Sequence, residues 1–317
     1  MHTQPVLAFD IGGTHLRGAI VDREGKVLVD GRLPSSGLSV EQLVERAATL
    51  AAELEQRAGL RVERVGAGVA AMLPLPGEVI ENAPNLGWRN APLRQLLADA
   101  LGGRLVRLYN DVDASAYGET AHGAARGFHD VICVFVGTGV GSGIISGGRL
   151  VRGHRGVAAE FGHIKIATQG GRPCGCGATG CLEAYTGGAA LLTRIAAAVA
   201  DGSAPDVAAR AAGEVATVAH VDAAAAAGDP FAVALWDEVG THLALALANL
   251  VTVLNPARLV LGGGVLARAP GLLARVKDGV GRYTNAVALT GFEIVDVGLG
   301  DDGGLIGAAA LVRALEV

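Results

Sequence analysis

The stretches "FDIGGTHLRGAIV" (residues 9–21) and "VFVGTGVGSGIIS" (residues 134–146) decide the fold. Each is an apolar run, a glycine turn and a second apolar run, which reads as strand, tight turn, strand. Two copies about 125 residues apart, by the subtraction 134 − 9, point to an internal duplication. Neither copy matches the GxxxxGK[ST] phosphate loop. Neither opens a βαβ dinucleotide unit, because a strand follows where a helix is required, and this sets aside a dinucleotide-dependent dehydrogenase.

Outward from the first copy, Val6–Phe9 and Leu16–Val21 form a hairpin, and "KVLVDGRL" adds a third strand. Apolar residues at helical spacing predict a helix over residues 40–58. "VERVGAGVAAM" is a strand ending in glycines, residues 74–88 a polar loop, residues 91–101 a helix, "LVRLYND" a strand and residues 115–126 a short helix. From the second copy, "DVICVFVG" and "IISGGRLV" are strands, and an alanine-rich helical region covers residues 188–254 with breaks at "DGSAP" and "AGDP". "RLVLGGGV" and "FEIVDVGL" are strands, and "DGGLIGAAALVRAL" begins a final helix. Three strands followed by alternating helix and strand in the first half, and a second half that starts with the same strand–turn–strand, predict an α/β fold with a mixed sheet covered by helices.

The chain has 317 residues, enough for two domains, and half of them are apolar. Aromatic residues are only 4%, so the core is built from Ala, Val and Leu. A net charge of −5 offers no basic surface for nucleic acid. "MHTQPVLAFD" lacks a basic segment followed by a long apolar one, and the alanine-rich runs are broken by charge or glycine, so neither a signal peptide nor a membrane span is expected. A cytoplasmic location follows as the expectation, and reducing conditions there disfavour structural disulfides.

Asp10 ends a strand just before Gly12, Gly13 and Thr14. Glycines let backbone approach a ligand, and successive N–H groups can face phosphate oxygens. A carboxylate at that edge suits hydrated magnesium. Gly137, Thr138 and Gly139 repeat the arrangement. Asn110 and Asp111 also end a strand, at the edge where α/β proteins place reacting groups. There a carboxylate can accept the proton of a hydroxyl attacking phosphorus. The alternative is a structural one, with Asp111 or Asp113 capping the next helix. Cys174, Cys176 and Cys181 lie among glycines in one loop, and three thiolates need a fourth ligand to bind zinc tetrahedrally. His163 is the best nearby candidate, ahead of His154. Cys133, inside an apolar strand, reads as a small buried hydrophobe. Four protein ligands make the site structural, and the zinc would fix Glu160 and Glu183 as walls of a polyol pocket.

These segments resemble the ROK family of sugar kinases and sugar-responsive repressors, within the actin-like ATPase and hexokinase-like fold. The resemblance rests on "DIGGTHLRGAIVD", "NAPNLGW", "NDVDASAYGE", "VFVGTGVGSGIISGGRLVRG", "AAEFGHIKI", "CGCGATGCLEAY" and "LVLGGGV", and it spans nearly the whole chain. It implies two actin-like domains with an interdomain cleft that closes over a hexose and ATP with magnesium. Residues 1–113 with a C-terminal helix 303–317 would form the smaller domain, and residues 114–302, with a zinc loop at 163–181, the larger. Asp111 would be the base, and Asn85, Asn110, Asp111, Glu160, His163 and Glu183 would bind the sugar. Gly262 and Gly263 would join Asp10 and the two glycine turns on the nucleotide side. His163 would serve zinc with one nitrogen and a sugar hydroxyl with the other. The family resemblance also implies a homodimer.

The chain departs from the family pattern at three positions. His15 stands where lysine is frequent, Asp113 where asparagine is common, and Ala159 where glycine is frequent. A second carboxylate at Asp113 is expected to raise a pKa beside the base. With the first glycine turn starting at Asp10, no room is expected for the DNA-binding domain of the repressors. Intact Asp10, Asp111 and glycine turns argue against a sugar sensor without activity. Glucose is the favoured substrate, with N-acetylmannosamine, N-acetylglucosamine, fructose and allose as alternatives, and polyphosphate as an alternative donor.

Overall fold

A computed structural model of the chain describes residues 4–76 and 79–314. The first three residues, two residues of the expected 74–88 loop and the last three of the C-terminal helix lie outside the described residues. The elements of the first half are β1 (Val6–Ile11), β2 (His15–Val21), β3 (Val27–Pro34), α1 (Val40–Ala58), β4 (Arg64–Val69), β5 (Ile80–Ala83), β6 (Trp88–Ala91), α2 (Leu93–Ala100), β7 (Leu105–Asn110) and α3 (Asp111–Ala121). The second half has β8 (Val131–Val136), β9 (Val140–Ser146), β10 (Arg149–Leu150), α4 (Glu183–Thr186), α5 (Gly188–Ala200), α6 (Pro205–Ala211), α7 (Val218–Ala226) and α8 (Pro230–Leu254). It closes with β11 (Arg258–Gly262), α9 (Gly264–Arg268), α10 (Pro270–Tyr283), β12 (Glu293–Asp296) and α11 (Gly303–Ala314).

Two five-stranded sheets have the same order. The first runs β3-β2-β1-β4-β7 and the second β10-β9-β8-β11-β12. The duplication read from the two glycine stretches is therefore one of topology, a hairpin-linked trio followed by two crossover strands. Packing divides the chain into two compact units. One takes the described residues of 1–132, 143–159 and 297–317, and the other takes residues 133–142 and 160–296. These packing units are not drawn at residue 113, because α3 packs against α11 and goes with the first unit.

In the first unit β1 is buried on both faces. Leu7, Phe9 and Ile11 join one core with Leu43, Leu50 and Leu54 of α1, while Val6 and Ala8 join another with Leu305, Ala309 and Val312 of α11. Side-chain alternation thus makes a central strand with helices on each side. Helix α1 starts at Ser39, whose side chain forms a capping box with Gln42, and stops at Gly59 in the left-handed conformation. Helix α11 meets α3 at backbone distance, for a Cβ on Gly307 would lie 1.7 Å from the Ala114 carbonyl oxygen.

Several boundaries differ from those expected. The 74–88 loop contains β5 and opens into β6, a short antiparallel pair that four-residue strands signal weakly. Helix α3 begins at Asp111, four residues before the expected 115, because Asn110 caps it. Helix α8 is long and apolar enough by composition to cross a membrane, but Trp236, Leu243, Leu247 and Val251 are buried in the second unit, where it packs on α7 and α10. It is a core helix.

Candidate active site and metal centre

In the first unit, β1, β4 and β7 are parallel, and Ile11, Val69 and Asn110 form one row across them. Asp10 therefore sits one residue before the carboxyl edge and Asp111 one residue beyond it. Burial pushes the Asp10 carboxyl up to about 6, the Asp111 charge adds to the rise, and Arg17 opposes it. Burial also raises Asp111, against the pull of its own and the Val112 amide, although its side chain keeps some solvent contact. The carboxylate electrostatically tied to Asp111 is Asp10. Asp113 is a buried residue of α3.

Asn110 is the cap of α3. Its Oδ1 accepts from the N–H groups of Val112 (2.9 Å) and Asp113 (3.1 Å), while its Nδ2 donates to the Ala71 carbonyl (3.3 Å). The capping role considered for Asp111 or Asp113 is thus filled by their neighbour. The same bonds occupy most of the amide that was expected to serve a sugar.

The first glycine turn is tied down from below. Gly12 N–H donates to His15 O (3.0 Å), and Ser35 donates from Oγ to Gly12 O (2.6 Å) and from N to Thr14 O (3.0 Å). A Cβ on Gly13 would lie 2.6 Å from the Asn85 carbonyl oxygen, so the turn and "NAPNLGW" are in direct contact. Arg17, opposite Asp10 in the β1–β2 register, donates to the Asp301 carbonyl and to Asp302 Oδ1 (2.5 Å). Gly304, at the start of α11, stands beside the Asp10 carboxyl. Arg17, Ser35 and Gly304 were not expected site residues. Arg17 comes to lie across from Asp10 through the β1–β2 register, which no local sequence signal gives. An open hollow of about 490 Å³ beside this loop, lined by residues including Ser39, Trp88 and Arg89, contains none of the expected site residues.

In the second unit, Gly137 N–H donates to Gly139 O, and the carbonyls of Gly137 and Thr138 accept from Gly188 and Ala189 at the start of α5, all at 2.9 Å. The Glu183 Oε2 accepts from Val140 N–H (2.9 Å). Gly263 has φ of +92°, and a Cβ there would lie 2.5 Å from the Val136 backbone, so β11 ends in direct contact with β8. Gly262 is the last residue of β11.

His163, Cys174, Cys176 and Cys181 converge, with one ligand atom from each within 4.8 Å of every other. The sulfurs of Cys176 and Cys181 are 3.7 Å apart, as are the Cys174 sulfur and His163 Nδ1. Tetrahedral zinc, with Zn–S near 2.3 Å and Zn–N near 2.0 Å, requires ligand edges of roughly 3.5–3.8 Å. The residues therefore fit a zinc ion. All four cysteines are free thiols, and Cys133 is buried in β8 outside the cluster. Lys165 Nζ donates to the Cys181 sulfur at 2.9 Å. The other nitrogen of His163, Nε2, lies 4.0 Å from Glu160 Oε2, so the ring faces the cluster on one side and a carboxylate on the other.

Asp10, the first glycine turn, Asn85, Asn110 and Asp111 thus gather in the first unit. The second glycine turn, Glu160, His163, the three cysteines, Glu183, Gly262 and Gly263 belong to the second. The ROK family model matches residues 6–315. A glucokinase of Streptomyces coelicolor is 33% identical over 97% of each chain. The structure of a ROK hexokinase from Thermus thermophilus has a TM-score of 0.82 at 34% identity, covering 99% of both chains. A ROK glucokinase from Streptomyces griseus, solved with glucose and AMPPNP, has a TM-score of 0.81 at 35% identity, covering 98% of this chain and 99% of that one.

Proposed function

The chain belongs to the ROK family, and from that premise we propose that it transfers the terminal phosphoryl group of ATP to glucose, giving glucose 6-phosphate. The observation that carries the reading is the state of Asp111. Its neighbour Asn110 takes over the helix cap, and burial raises the Asp111 carboxyl, making it a better proton acceptor. Glucokinase and hexokinase relatives at about a third identity over nearly the whole chain support the same activity.

Asp111 orients the hydroxyl on carbon 6 and accepts its proton as the O–P bond forms. Because phosphoryl transfer has a loose transition state, that proton need not leave before attack. Asn85, Asn110, Glu160, His163 and Glu183 hold the ring hydroxyls. Asp10 would hold magnesium, which neutralises phosphate charge when bound. The glycine turns with Gly262 and Gly263 hold the nucleotide. His163, Cys174, Cys176 and Cys181 hold a structural zinc, whose contribution is folding energy. Four cysteines outside any disulfide suit a reducing, cytoplasmic setting, and the assembly we propose is a homodimer.

The test is a coupled ADP-release screen over glucose, N-acetylmannosamine, N-acetylglucosamine, fructose and allose with magnesium–ATP, and with polyphosphate as the control donor. Glucose should give the highest kcat/KM, and phosphorus NMR should place the phosphate on carbon 6. A different preferred sugar reassigns the substrate. Glucose binding without turnover on any donor makes the protein a sensor.

A further inference from the structure

The second glycine turn is held by the metal loop. Val140 is the residue at which the turn enters β9, and its N–H and its carbonyl each meet a neighbour of a metal ligand. Its N–H donates to Glu183, two residues past Cys181. Its carbonyl presses on Gly162, the residue before His163, where a Cβ would come within 2.2 Å of the oxygen. The other Glu183 oxygen, Oε1, lies 3.7 Å from the Cys174 sulfur. Gly139 makes room for the same carboxylate, since a Cβ there would be 2.3 Å from Oε2.

The chain after Glu183 continues the grip. One turn of α4 leads to Gly187 and into α5, whose first N–H groups hold the carbonyls of Gly137 and Thr138. Those bonds turn the carbonyls toward α5. Among the described residues, the N–H groups of Thr138 and Gly139 are left without a protein partner, the pair such a turn offers to an anion. The position of these two donors is therefore set by Glu183 and by the α4–α5 junction, and Cys181, wholly buried, anchors the start of that junction.

We infer that Glu183 is a positioning residue that couples metal occupancy to the phosphate-binding turn, so that the metal loop governs affinity for the phosphate chain of a nucleotide with no sugar present. This rests on the reading of residues 137–139 as a nucleotide turn, but the coupling itself is a property of the chain. Glu183→Gln keeps an oxygen for Val140 N–H and turns its amide nitrogen toward Cys174. Glu183→Ala loses both.

The experiment has two arms. Hydrogen exchange of the peptide spanning residues 137–143 is compared in zinc-loaded protein, chelator-treated protein and the two zinc-loaded variants, with the peptide spanning residues 10–17 as internal control. AMPPNP with magnesium is titrated into the same four samples without sugar, using calorimetry. Zinc removal and Glu183→Ala should each accelerate exchange at 137–143 but not at 10–17. Each should weaken AMPPNP at least about fivefold, the scale of one lost hydrogen bond to a charged acceptor acting through the turn. Readdition of zinc should restore the stripped protein, and Glu183→Gln should stay within about twofold of the unaltered protein on the same grounds. Unchanged exchange at 137–143, equal acceleration in both peptides, or AMPPNP affinity indifferent to zinc and to Glu183→Ala overturns the coupling. Local acceleration in a protein that binds no AMPPNP even with zinc leaves the coupling standing and overturns the nucleotide reading instead.

Discussion

Two carboxylates at the ends of the strands that flank β4 have different tasks, and single substitutions separate them. Asp111→Asn keeps size and one acceptor oxygen but gives up basicity. A general base contributes about 10²- to 10⁴-fold, so turnover should fall at least about a hundredfold while glucose affinity in a binding titration stays near normal. Near-normal turnover removes Asp111 from the base role. Asp10 carries a stability cost. Its carboxyl is raised from 3.8 to about 6 in the folded protein. A raised acid binds its proton more tightly when folded, so stability drops as pH climbs from about 4 to 6 and the loss is complete above that. Asp10→Asn, which cannot ionise, should melt about 2–4 °C higher at pH 7.5, and the gain should vanish by pH 4. Thermal melts of both proteins across that range decide it, and a gain that persists at pH 4 points to packing rather than charge.

At the scale of elements, the close contact of α3 with α11 locates the C-terminal helix on the first sheet. A methyl group on Gly307 lands 1.7 Å from the Ala114 carbonyl, whereas one on Gly303 finds its nearest neighbours at 3.8 and 4.0 Å. Gly307→Ala should therefore cost about 1–3 kcal/mol through overpacking, and Gly303→Ala should be close to neutral. Equal denaturation midpoints for the two variants would falsify the tight crossing. What the sequence disclosed about such elements follows the strength of local signals. The two strand–turn–strand copies, α1 with its serine cap and glycine stop, and the cysteine loop are spelled out by adjacent residues. The early start of α3 was hidden because an aspartate can cap as well as asparagine, and only the hydrogen bonds of Asn110 choose between them. Strands β5 and β6 are four residues each, too short for alternation to stand out. Arg17 was missed because its role depends on register with Asp10, and the Val140–Glu183 bond because it joins residues 43 apart.

Across the whole molecule, the repeated sheet order shows that the second half is built on the plan of the first, and its additions include the metal-ligating loop between β10 and α4. That loop has little apolar material of its own. Between residues 164 and 180 it has no strand or helix and none of its residues is fully buried until Gly180, so its shape cannot be maintained by a core. Cross-linking by a metal is the physical alternative, and stability of the second unit should depend on it. Protein purified without added zinc should carry about one zinc per chain, as expected for a single four-ligand site. Cys176→Ala removes one ligand from an exposed position, so it leaves no cavity. Any loss of stability in that variant therefore reports the metal. It should lose the zinc and melt at least about 5 °C lower, the scale of a structural metal spread over a chain of this size. Cys133→Ala, which does create a buried vacancy in β8, should lower the melting temperature while keeping the zinc. Metal analysis and melting of both variants separate the two origins of instability. If Cys176→Ala keeps both its zinc and its melting temperature, the loop is held by something other than a metal.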